Sequence, residues 1–88
     1  MTEQTLIGLL LSPRTWGTAY EYSLWSVYDQ TKDIELVIKL ILDERFKTTP
    51  YPGALLFRLV EMLRQTSPEL VTRVEQAATF VDIPIKYV

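Results

Sequence analysis

The sequence predicts an all-α domain: a small four-helix bundle with a short N-terminal segment and an extended C-terminal tail. Three observations carry the prediction. Apolar residues recur at helical spacing near 31–47, 53–66 and 68–81. Hydroxyl-proline pairs, Ser12-Pro13 and Ser67-Pro68, stand where helices should begin. There the hydroxyl accepts from free amides and proline's missing N–H costs nothing. The connections are short, which sets successive helices antiparallel. With 88 residues the chain is expected to form one helical domain over 1–88.

Thr2 to Leu11 reads as a short helix or an extended packing arm. The first bundle helix is expected over 13–29, opened by Ser12-Pro13 and carrying Trp16, Tyr20, Leu24 and Val27 on one face. The same stretch also fits strand alternation and is rich in β-preferring aromatics. The alternative fold is therefore α+β, with strands near 16–28 and 80–88. The second helix, 31–47, places Glu35, Lys39 and Asp43 at i,i+4 steps, where they can support one another.

Thr48 to Gly53 is a proline-stiffened loop, and the third helix, 53–66, has a single polar stripe of Arg58, Glu61 and Gln65. The fourth, 68–81, is amphipathic, with Leu70, Val74, Ala77 and Val81 on its apolar face and Glu69 favourably placed at the positive end of its dipole. Asp82 to Val88 contains Pro84 and is read as extended. Helices 31–47 and 53–66 are apolar around most of their circumference and should be central, with Leu40, Leu56 and Leu63 buried.

Composition narrows the chemistry. The chain has no His and no Cys, so it lacks the commonest general base, the thiol nucleophile and the main transition-metal ligands. Asp43 and Glu44 are neighbours in sequence and point about 100° apart on a helix, unlike a working carboxylate pair. Gly8, Gly17 and Gly53 are isolated, so no phosphate-cradling loop is present. These readings predict a protein that is not an enzyme, with no catalytic residue, cofactor or metal. The absence of Cys and of any long apolar run predicts a soluble, cytoplasmic protein with no membrane segment.

Association is the expected role: a protein-protein interaction module or small regulatory subunit, forming a homodimer through surplus apolar surface. The partner-binding candidates are the aromatics with large rigid area, Trp16, Tyr20, Tyr22, Trp25, Tyr28 and Tyr51. Of these, Trp16 and Tyr20 also suit the core, while Tyr22 and Trp25 fall on a different helical face and are the preferred surface anchors. Nucleic acid is an unlikely partner for a chain of net charge −2, unless dimerisation gathers Arg14, Arg58, Arg64 and Arg73 into a basic surface. A carrier of apolar ligands would need a cavity of roughly 300 Å³ or more between the two apolar helices.

Overall fold

Six α-helices and three 3₁₀ turns build residues 6–85, the part of the chain that the computed structural model describes. The expectations for residues 2–5 and 86–88 lie outside the described residues. In order, the helices are α1 (Leu6–Leu10), α2 (Trp16–Ala19), α3 (Leu24–Thr31), α4 (Ile34–Leu42), α5 (Pro52–Thr66) and α6 (Val71–Phe80). The 3₁₀ turns are Pro13–Thr15, Glu44–Thr48 and Pro68–Leu70. The domain is all-α, and among the described residues there is no strand, including the 16–28 stretch proposed for the α+β alternative.

The helix expected over 13–29 is two helices. Ser23, in extended conformation, accepts from the Ser26 amide at 3.1 Å and so starts α3 afresh. A serine that caps offers the backbone an alternative to continuing the previous helix. The second expected helix, 31–47, is also divided. Lys32 closes α3 in the left-handed region at φ 52, Asp33 caps α4 through the Leu36 amide, and Asp43 ends α4 while accepting from the Arg45 amide at 2.9 Å. Each cap satisfies an amide that the interrupted helix leaves free.

At the other serine-proline pair, Ser67 makes no side-chain cap. Its backbone amide instead closes α5 on the Leu63 carbonyl at 2.7 Å. Of Glu35, Lys39 and Asp43, the expected i,i+4 support reaches Glu35 as a minor effect of the Lys39 charge, while the direct pairs are Glu35 with Arg73 of α6 and Asp43 with Arg45. The end of α6 has a reason of its own. Asp82 turns left-handed at φ 58, and the amides of Asp82 and Ile83 bond back to the Thr79 and Ala78 carbonyls. This crossed pair stops the helix and folds Ile83 into the core.

The two apolar helices share the same two flanking helices. α4 packs mainly on α3 and α6, and α5 on the same two helices, so each apolar circumference is covered from two sides. Glu35 meets Arg73 at one end of α4 and α6, while Leu42 and Phe80 share a groove toward the other, so these two helices run parallel. Leu40, Leu56 and Leu63 are buried, as their spacing predicts. A radius of gyration of 12.4 Å matches the roughly 12 Å expected of a packed chain this long.

Candidate interaction surface

A cleft of about 630 Å³ lies between the end of α2 and the connection from α4 to α5. One wall is Gly17, Tyr20 and Glu21. The other runs from Arg45 through Thr48, Thr49 and Pro50 to Tyr51, and Leu55 of α5 completes it.

A short-range set of hydrogen bonds shapes the second wall. The Thr48 and Thr49 hydroxyls donate to the Arg45 and Phe46 carbonyls, both at 2.7 Å, which fixes the 3₁₀ turn. Pro50 and Pro52 then stiffen the exit, and Pro52 occupies the first turn of α5, where a missing N–H is harmless. Tyr51, between the prolines, is left 75% exposed at the lip.

Arg45 joins the two walls. Its Nε and Nη2 donate to the two oxygens of Asp43, each at 3.0 Å, while Nη1 and Nη2 reach the carbonyls of Arg14 and Pro13. The guanidinium thus staples the connection to the turn that precedes α2. Hydrogen bonds from the Arg45 side chain hold the Asp43 carboxyl below the usual carboxylate range, against a smaller opposing effect of burial. Gly17 sits above the staple, and a Cβ there would stand 3.8 Å from Arg45 Cδ, an ordinary contact.

Tyr20 forms the floor with its polar tip already engaged. Its hydroxyl donates to the Leu40 carbonyl at 2.6 Å, and its ring lies 5.6 Å from that of Phe46. Leu40 lies in the last turn of α4, where its carbonyl has only a long bond of 3.4 Å from the Asp43 amide, so the phenol acts as a cap from a distant helix. Burial, and then the nearby Asp43 charge, push the Tyr20 phenol well above the ordinary tyrosine range. It remains a donor at neutral pH. With both threonine hydroxyls and the guanidinium occupied by structure, the cleft offers apolar walls, the Glu21 carboxylate, which has no ion-pair partner among the described residues, and room for a side chain.

The six sequence-predicted aromatics separate into three groups. Trp16 and Tyr20 are core residues: Trp16 Nε1 donates to the Leu10 carbonyl at 3.4 Å, and neither ring offers much area to a partner. Trp25 and Tyr28 are half-buried against the core and against each other, with ring centroids 6.0 Å apart and the Lys32 ammonium 5.9 Å above Tyr28. Tyr22 is 38% exposed and Tyr51 is the most open of the six. The cleft brings together only Tyr20 and Tyr51. Thr48 and Thr49 belong to the stiff loop read from the sequence, whereas Gly17 and Arg45 were missed, because the link from Arg45 to Pro13 and Arg14 spans about thirty residues and leaves no local pattern.

Among the described residues no group of three or more acids is placed to hold a metal ion, and no helix is long and apolar enough to cross a membrane. Two of the four arginines of the basic-surface reading are held by carboxylates, Arg64 by Glu61 and Arg73 by Glu35. No protein-family model matches the chain, and the comparisons with curated proteins and with solved structures give no match.

Proposed function

We propose that the protein is a non-catalytic binding module, a small regulatory subunit that takes an extended segment of a partner protein into the Tyr20–Tyr51 cleft. One observation carries this reading: a cleft of about 630 Å³ has an exposed tyrosine at its lip, while the hydroxyl and guanidinium groups around it are occupied by the fold. The mechanism is occupancy. Pro50 and Pro52 limit the motion that Tyr51 loses on binding, so a modest contact area yields a useful affinity. Asp43 neutralises Arg45, which leaves Glu21 as the uncompensated charge of the lining. A segment with an apolar or aromatic side chain beside a lysine or arginine fits that balance.

Peptides selected by display against the protein test the reading. The expected selection is an apolar or aromatic centre next to a basic residue, with amide shifts of the labelled protein concentrated at Gly17, Glu21 and Thr48 to Tyr51. Tyr51→Ala should weaken binding by about tenfold, as expected for an exposed aromatic anchor. Shifts centred elsewhere, or binding indifferent to Tyr51→Ala, would remove the cleft from the proposal. The volume also lies in the range of small-molecule pockets, roughly 300–1,000 Å³. An apolar-ligand carrier is therefore the second reading, with its pocket in this cleft and not between α4 and α5, and fragment binding at the same amides without peptide selection would favour it.

A further inference from the structure

The backbone of an incoming segment finds few hydrogen-bond partners in the cleft. Pro50 and Pro52 have no N–H, the Thr49 amide is bonded to the Phe46 carbonyl at 3.2 Å, and the Tyr20 and Glu21 amides are bonded to the Trp16 and Thr18 carbonyls. The Thr48, Thr49 and Tyr20 hydroxyls and the Arg45 guanidinium are engaged as well. Among the acceptors, the Phe46 carbonyl takes both the amide and the hydroxyl of Thr49, the Arg45 carbonyl takes the Thr48 hydroxyl, and the Tyr51 carbonyl takes the Leu55 amide.

Two common modes of peptide capture lack a platform here. Strand addition needs a sheet edge, and there is no strand among the described residues. A docked helix needs apolar depth for anchors one and two turns apart, and Leu55 is the one leucine, isoleucine or valine in the lining. The lining holds instead two tyrosine rings and a proline, beside a carboxylate.

We propose that the occupant is a proline-rich segment in the polyproline II conformation, with its rings against Tyr51, Pro50 and Tyr20 and a flanking arginine or lysine at Glu21. The proposal rests on the peptide-binding reading of the cleft and names the class of segment. Proline brings no N–H, so it buries no donor against walls whose carbonyls are already bonded within the chain. A polyproline II segment has no internal hydrogen bonds to exchange and is extended before it binds, so little freedom is lost. Its carbonyls stay solvated at the cleft mouth, where the exposed Tyr51 hydroxyl is available to donate to one of them. Charge complements the cation: Arg45 is neutralised by Asp43, whereas Glu21 has no ion-pair partner among the described residues.

Two blocked synthetic peptides test the proposal on the isotope-labelled full chain: Pro-Pro-Leu-Pro-Pro-Arg and its counterpart with alanine at every proline. The proline peptide should shift the amides of Gly17, Glu21, Thr48, Thr49 and Tyr51 with a dissociation constant of roughly 100 µM, ordinary for so small a contact. The alanine peptide should bind at least about fivefold more weakly, the loss that one unpaired buried amide brings. Replacing the peptide's arginine by glutamine should weaken binding to wild type about threefold, as for an exposed ion pair, and should have no effect on Glu21→Gln. Glu21 is exposed, so that variant should keep the wild-type circular dichroism spectrum. Equal binding of the proline and alanine peptides, or an arginine preference that survives Glu21→Gln, would overturn the proposal. If peptides selected by display and lacking proline move the cleft amides while the proline peptide does not, the proposal falls and the binding cleft stands. If no peptide moves them, both fall.

Discussion

Tyr20→Phe isolates one hydrogen bond on which two parts of the fold depend. The substitution removes the hydroxyl that donates to the Leu40 carbonyl at 2.6 Å and leaves the ring against Phe46, 5.6 Å between centroids. The exposed consequence is a buried acceptor at the end of α4. Losing the partner of such a group costs about 1–3 kcal/mol. The Leu40 carbonyl retains a long bond from the Asp43 amide, 3.4 Å, which places the expected loss at about 1–2 kcal/mol. A chain of this length has a total stability of about 4–13 kcal/mol, so the change is a substantial share of it. The melting temperature should fall by roughly 5–15 °C.

Urea unfolding at neutral pH, followed by far-ultraviolet circular dichroism, measures the loss as a lower midpoint with unchanged slope. The same variant makes an alkaline prediction. The folded state holds the Tyr20 proton above the ordinary tyrosine range, whereas the unfolded chain releases it near pH 10. Ionisation therefore favours the unfolded state as pH rises past that point, and wild type should lose stability there while Tyr20→Phe is spared this component. A variant within about 0.3 kcal/mol of wild type at neutral pH, with the same alkaline limb, would refute the capping role of the phenol.

Two further substitutions bear on the cleft walls. Gly17→Ala should stabilise the protein by about 0.5–1 kcal/mol in thermal unfolding, because alanine is the better helix former and the new Cβ meets only Arg45 Cδ at 3.8 Å. A loss of stability would show that the wall is tighter than its geometry implies. Asp43→Asn should flatten the acid limb. The Asp43 carboxyl is held below its unfolded value of about 3.9, so its contribution is present at neutral pH and disappears as pH falls from about 4 through the folded value. Melting temperatures of wild type and variant should differ at pH 7 and draw together as the pH falls below about 4; equal temperatures at pH 7 would show that the Arg45 staple adds nothing.

The exposed apolar side chains are spread more widely than the second aromatic face expected from the sequence. Surplus apolar surface was expected on the second aromatic face, around Tyr22 and Trp25. Tyr22 is exposed there, Trp25 packs on Tyr28 and the core, and the most open apolar groups are Phe80 and Leu11, each 82% exposed. Phe80 was easy to overlook, because it lies on the otherwise polar face of α6, one residue before the buried Val81. An aromatic on the polar side of an amphipathic helix is the local signal that was available.

Helical periodicity is a property of each segment alone, and what depends on it was legible from the residues in order. The all-α class, the 53–66 helix, the helix that follows Ser67-Pro68 and the burial of Leu40, Leu56 and Leu63 all rest on which side of a single helix is apolar. Periodicity carries no record of what covers that side. Contacts between distant parts decided the rest: α3 and α6 flank both apolar helices, Tyr20 caps a carbonyl twenty residues away, and Arg45 reaches back to Pro13 and Arg14. Those contacts sent Trp16 and Tyr20 into the core and left Tyr51 and Phe80 outside, because a buried polar tip must find a partner and only the folded chain supplies one.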